Sequence, residues 1–276
     1  MNTNNFNFVF LGTPDVASET LEILKQNGFI PSLIVTSSDK PQGRKMLITS
    51  PSVKIWAIEN NIPYIQLEKL DAEFTLKLST FNFQLSVVVA YGKIIPENIL
   101  NMPKLGSINV HYSLLPKYRG ASPVESAILN GDTETGITIQ KMAYKMDAGD
   151  IIAQEKVKIG NDEKAPDLRK RLIKIGGELL VKILPEFANR NIKLIPQNEK
   201  EATYCKKIKK EDGLVDLEKE PSSVLYNKFR AYAGWPRIFF FQKGKRIIIT
   251  KARLENNKFI IEKVIPENGK EMDWKD

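Results

Sequence analysis

The chain contains one histidine. It lies in Ile108-Asn109-Val110-His111-Tyr112-Ser113-Leu114-Leu115-Pro116, directly after residues 106–110, which read as a core strand. Strand side chains alternate with a period of two, so Asn109 and His111 project to the same face. An amide beside an imidazole supplies donors for an oxyanion, and the ring can carry a proton. The residue types alone leave a satisfied structural histidine as the alternative. Further on come Gly131-Asp132-Thr133-Glu134-Thr135-Gly136-Ile137-Thr138 and Met146-Asp147-Ala148-Gly149-Asp150. Glycines flanking acids read as loops that let backbone approach a ligand. From such a loop Asp147 is within reach of His111; a solvated turn aspartate is the alternative.

The elements that must hold these residues alternate strand and helix. Residues 7–11, 32–36, 85–90 and 106–110 read as strands. The run at 85–90 is apolar on both faces, as a buried parallel strand requires. Gly12-Thr13-Pro14-Asp15 supplies a turn, an expected N-cap at Thr13 and a proline at the first helical position, before a helix over 16–26. A second helix starts at Ser50-Pro51, and a helix over 167–188 closes the unit. This alternation predicts an α/β fold: a Rossmann-like, doubly wound, mostly parallel sheet whose ligands bind beyond the C-terminal ends of its strands. A dinucleotide site is set aside, because Gly12 is followed by Thr13 and Pro14 rather than by the three-glycine fingerprint.

Residues 190–204 are polar and read as a linker. After a helix near 221–231, short β-rich runs at 238–241, 246–250 and 258–264 predict a small OB-like β-barrel. The expected domains are therefore 1–189, a linker over 190–204, and 205–276.

The 276 residues are 42% hydrophobic and 27% charged, as in ordinary folded proteins. No apolar run approaches the ~18 residues that span a membrane, and Met1-Asn2-Thr3-Asn4-Asn5 lacks the regions of a secretory signal. The expectation is a monomer with no membrane association, cytoplasmic or, if a leader has been lost, inside an organelle. A single cysteine, Cys205, excludes an intrachain disulfide and a cysteine-based zinc site, and no metal is expected. The net charge is +8, and residues 201–276 hold 17 of the basic residues against 12 acidic ones. That asymmetry points to a polyanionic partner.

The run Gly-Ser-Ile-Asn-Val-His-Tyr-Ser-Leu-Leu-Pro, with Arg119-Gly120, Ala127, Gly131 and Met146-Asp147-Ala148-Gly149-Asp150, resembles the signature of the 10-formyltetrahydrofolate-dependent formyltransferases. The resemblance implies the formyltransferase fold and a catalytic set of Asn109, His111 and Asp147. It implies a folate site at Ser113, Leu114, Leu115 and Pro116 and near Val89 and Tyr91. It implies 10-formyltetrahydrofolate as a co-substrate, with no tightly bound cofactor.

Phe10-Leu11-Gly12-Thr13-Pro14-Asp15-Val16-Ala17, Asp39-Lys40-Pro41-Gln42-Gly43-Arg44-Lys45 and Ala231-Tyr232-Ala233-Gly234-Trp235-Pro236 look like segments of the members that act on methionyl-tRNA. The implied partner is methionyl initiator tRNA. Arg44 and Lys45 would lie near its acceptor end, and Lys206, Lys207, Lys209, Lys210, Lys245 and Arg246 along its phosphates. Lys228, Arg230, Arg237, Lys243, Lys251 and Arg253 belong to the same expected basic set. The barrel reads shorter than the resemblance implies, ending at Trp274-Lys275-Asp276. The competing readings are an amino-sugar nucleotide formyltransferase with the same site and a non-catalytic RNA-binding protein.

Overall fold

The computed structural model describes residues 7–42, 46–66 and 70–275. In chain order the first half contains β1 (Phe8–Gly12), α1 (Asp15–Gln26), β2 (Leu33–Thr36), β3 (Lys40–Gln42), β4 (Leu47–Thr49), α2 (Ser52–Glu59), β5 (Tyr64–Gln66), α3 (Ala72–Ser79), β6 (Leu85–Val89), α4 (Glu97–Leu100) and β7 (Ser107–His111). Then come β8 (Arg119–Gly120), α5 (Pro123–Leu129), β9 (Glu134–Lys141), β10 (Ile151–Lys158), α6 (Ala165–Ala188), β11 (Tyr204–Cys205), α7 (Ser222–Ala231), β12 (Phe239–Gln242), β13 (Lys245–Glu255), β14 (Lys258–Pro266) and β15 (Met272–Asp273).

The main sheet has seven strands in the order β10-β9-β7-β6-β1-β2-β5. The five from β7 to β5 run parallel, and β9 and β10 add an antiparallel edge. Alternation along the central strands sorts their side chains onto two cores. Phe8, Phe10, Ile34, Val87, Val89, Ile108 and Val110 join one core with α1 and α6. Val9, Leu11, Leu33, Val35 and Val88 join the other with α3 and α4. A segment apolar at every position is what a strand covered on both faces requires.

The second unit is a four-stranded antiparallel sheet, β12-β13-β14-β15, packed against α7. Its Ile247, Ile249 and Val264 share a core with α5–α7 and the main sheet. Tyr226 donates to Asp162, and the buried Arg230 donates to the Gly160 and Glu163 carbonyls, tying α7 to the first unit.

Two local expectations are corrected. The first helix begins at Asp15 with Pro14 at the cap position, and Thr13 Oγ1 donates instead to the Tyr91 carbonyl at 3.1 Å. Residues 134–138, expected as part of a glycine-flanked loop, are strand β9. Gly136 there admits close approach of the Glu155 carbonyl and Leu114, not of a ligand. The segment expected as a linker is stitched to the first unit: Ile195 bridges Ile151, and β11 pairs in parallel with β8.

Candidate active site

Asn109 and His111 both line a cavity of 680 Å³ at the C-terminal ends of β6 and β7. They project there because Ile108 and Val110 fill the opposite core. Antiparallel pairing sets Gln140 of β9 opposite Asn109, and Thr138 opposite His111. Asp147 comes from the loop after β9, with φ of +49°. Gly149, two residues on, has no room for a Cβ, which would meet the Lys141 carbonyl at 1.7 Å. Glycine therefore folds this loop back on β9 and brings Asp147 over the sheet.

The imidazole has two distinct sides. Its Nε2 lies 2.9 Å from the Tyr118 carbonyl. A carbonyl only accepts, so Nε2 carries a proton. Nδ1 faces Asp147 Oδ1 at 3.8 Å. Asp147 is itself fixed: Oδ2 accepts from the Gly120 N–H at 2.8 Å and Oδ1 from Gln140 Nε2 at 2.9 Å. The main chain of its loop is clamped as well. Gln197 Nε2 donates to the Asp147 carbonyl at 2.9 Å and to the Gly149 carbonyl at 2.6 Å.

The clamp continues into a buried cation. Gln197 Oε1 accepts from Arg119 Nε and Nη2, and the Glu199 carboxylate accepts from Arg119 Nη1 and Nη2 and from Lys145. Arg119 is fully buried. Its guanidinium, then Lys145, hold the Glu199 carboxyl down to about 2. Ala90, Tyr118 and Asp147 all have positive φ. Such conformations cost free energy and persist where neighbours over-determine them. For Tyr118 and Asp147 the strap from Ile195 to Cys205 does so, through Thr203 to Tyr118 and Gln197 to Asp147.

The rest of the cavity is mostly apolar, with Val88, Ile95, Leu100 and Met142 on its wall and the exposed Ile94, Tyr144 and Met146 at its rim. Tyr91 lines it too; burial pushes its phenol up to about 12. Val89 does not, because it faces the opposite core; Val88 takes that place. Nor do Ser113, Leu114, Leu115 and Pro116 line the cavity. Ser113 Oγ donates to the Lys117 carbonyl, while Thr138 Oγ1 donates to Ser113 and accepts from the Leu115 N–H. That turn works as a brace that delivers the Tyr118 carbonyl to His111.

Of the expected basic set, Lys206, Lys207, Lys209, Lys210 and Lys245 are exposed. Arg246 is half-buried, its guanidinium 3.9 Å over the Phe239 ring. Arg44 and Lys45 lie outside the described residues. One expectation is corrected by burial: Arg230 is an internal tie. Lys228 pairs with Glu220, and Lys251 and Arg253, both still exposed, pair with Glu262.

Gln140, Gln197 and the Gly120 N–H were not singled out from the sequence. Gln140 was recoverable only from the register of β7 against β9.

A family model described as "Formyl transferase" matches residues 6–184, and one described as "Formyl transferase, C-terminal domain" matches residues 207–276. A methionyl-tRNA formyltransferase of Caldicellulosiruptor saccharolyticus is 41% identical over 254 residues, covering 90% of this chain and 81% of that protein. One of Thermotoga maritima is 42% identical over 229 residues, covering 83% and 73%. Among solved structures, a methionyl-tRNA formyltransferase from Clostridium thermocellum superposes with a TM-score of 0.62 at 18% identity, covering 98% of this chain and all of that one. An N-formyltransferase from Helicobacter canadensis, in complex with folinic acid and dTDP-3-aminofucose, gives 0.69 at 22% identity, covering 91% and 88%. At such identities these two likenesses concern the fold alone.

Proposed function

The chain belongs to the formyl transferase family, and from that premise we propose that it formylates the α-amino group of methionyl initiator tRNA, taking the formyl group from 10-formyltetrahydrofolate. Formylation of methionyl-tRNA rests on curated relatives of that name at 38–42% identity over most of the chain. The identity of the donor rests on the resemblance described above and on an apolar cavity with few polar groups, suited to a heteroaromatic ligand.

The observation that carries the mechanism is the two-sided imidazole. With Nε2–H committed to the Tyr118 carbonyl, only Nδ1 is available to the reacting atoms. A proton on Nδ1 makes the ring cationic, and the Asp147 carboxylate stabilises that charge. The neutral amine attacks the formyl carbon. The oxyanion that forms accepts from Asn109, on the cavity wall, and from Nδ1–H of a ring already held by the Tyr118 carbonyl. Asp147, directly or through water, takes one proton from the attacking nitrogen. As the carbon–N10 bond breaks, the Nδ1 proton passes to N10. Return of the proton from Asp147 to the ring restores the starting state. Tyr91 lines the cavity through its ring, and its Oη is buried without a partner among the described residues.

The test is formyl transfer by purified protein from 10-formyltetrahydrofolate to charged initiator tRNA. An amino-sugar nucleotide serves as the competing acceptor. Formylation of the sugar and not of the tRNA would replace this assignment by the sugar-modifying one.

A further inference from the structure

Gln140 is 1% exposed, lines the cavity and is the cross-strand partner of Asn109. The orientation of its carboxamide follows from its neighbour. A carboxylate only accepts, so the nitrogen must face Asp147 Oδ1, at 2.9 Å. That leaves Oε1 buried with no hydrogen-bond partner among the described residues. An unmet buried carbonyl oxygen costs free energy. It sits beside Asp147 and opposite Asn109, and a small shift of the carboxamide towards the cavity that Gln140 lines would bring it to the nucleophile.

We propose that Gln140 orients the attacking amine: Oε1 accepts one of its N–H groups while Nε2 holds Asp147 for the other. The inference rests on the formyl-transfer reading given above. Both atoms belong to one planar amide, so a nitrogen held by Oε1 lies next to the carboxylate. A neutral amine has two N–H bonds and one lone pair. One N–H is held by Gln140, the second points towards Asp147, and the lone pair remains for the formyl carbon.

The balance of the reaction assigns the two hydrogens different fates. The hydrogen facing Asp147 leaves as the nitrogen–carbon bond forms. The hydrogen held by Gln140 stays as the N–H of the formamide product, while N10 leaves with the proton from His111. The donor's N10 carries the formyl group and no hydrogen, so N10 itself cannot satisfy Oε1, whereas the acceptor amine can. Orientation of this kind acts on turnover more than on affinity, because it sets the approach of atoms already bound.

The experiment uses the full chain with Gln140→Met, a replacement of similar length that removes both polar atoms. Turnover at saturating tRNA and folate should fall by roughly 10- to 100-fold. KM for each substrate should stay within about threefold, and the thermal midpoint should not drop, since an unmet polar atom is removed. Unchanged turnover overturns the proposal. So does a loss confined to KM for the folate, which would assign Oε1 to the donor.

A second arm separates contact with the amine from action through Asp147. In an Asp147→Asn background, measured in single-turnover formylation, Gln140→Met should lower the remaining rate by a further threefold or more, roughly. No further loss means that Gln140 acts only through Asp147, and the amine contact is wrong. Should the Met variant melt well below the parent, Gln140→Asn carries the same test, keeping the carboxamide but shortening its reach. A parent protein that formylates no methionyl-tRNA at all would instead overturn the functional reading on which this rests.

Discussion

The cavity and the basic face of the second unit are built on opposite principles. Around the cavity, polar groups are buried and interlocked. Asp147 accepts from Gly120 and Gln140 through its side chain and from Gln197 through its carbonyl, and His111 is 6% exposed with a fixed partner on Nε2. On the second unit, Lys206, Lys207, Lys209 and Lys210 project into solvent. A reacting centre must hold its donors where charge will develop. A phosphate-tracking surface needs only positive charge near a polyanion. The difference teaches that loss at the first should appear in turnover, and loss at the second in affinity and salt dependence.

The largest expected effect is at the centre of the cavity. His111→Ala should leave the fold intact and reduce turnover by roughly a hundred- to a thousandfold, the usual cost of an oxyanion donor. Asp147→Asn should be comparably severe, since an amide neither stabilises a charged imidazole nor accepts the amine proton. Steady-state formylation at saturating substrates measures both. Near-parental turnover in either would dissolve the contrast drawn above.

Next in size is the clamp. Gln197→Leu removes both donors to the Asp147 loop and the acceptor for Arg119, leaving buried polar groups unmet. A loss of about 2–3 kcal/mol in stability is expected, together with a fall in turnover of roughly tenfold through a looser Asp147. Thermal melts and kinetics on the same preparation decide it. Destabilisation with unchanged turnover would make the strap a purely structural tie.

A smaller and different effect is expected on the basic face. Replacing Lys206, Lys207, Lys209 and Lys210 together by Gln should raise KM for tRNA and leave turnover at saturation nearly unchanged, the pattern of lost uniform binding. The salt dependence of binding should flatten by about 0.7–0.9 in log–log slope for each lysine that neutralises a phosphate. An unchanged slope would remove this face from the tRNA-binding surface.

The smallest effect concerns pH. Glu199 is depressed in the folded protein, to about 2 from 4.5, chiefly by its hydrogen bond to Arg119. A group with a lowered folded pKa stabilises above its unfolded value and loses that contribution as pH falls through the folded one. The parent should therefore melt above Glu199→Gln at pH values over 4.5, and the gap should close as pH is lowered towards 2. A gap that stays constant over that window would mean that charge at Glu199 does not hold the strap.

Much of the architecture was legible from local pattern. The apolar runs that became β1, β2 and β6 are nearly continuous because both sheet faces are covered. The alternation of strand and helix implied parallel order. The period-two spacing of Asn109 and His111 placed both on one face, and the glycines around Asp147 marked a tight loop. The Thr13 cap failed by one residue because the hydroxyl found a long-range acceptor at Tyr91, which local propensity does not contain.

What the sequence by itself determined, then, was which residue types stand on which face of which element, since those depend on backbone period and burial within a few residues. Only the tertiary structure decided what meets what. Gln140 lies opposite Asn109 through antiparallel register, Val88 rather than Val89 opens to the cavity, and Gln197 reaches Asp147 from 50 residues away in sequence. It also decided which cations are free, consigning Arg119 and Arg230 to the interior while leaving the lysines of 206–210 in solvent. The physical reason is that a side chain's charge is written in its type, but its partners are set by chain segments that folding brings together.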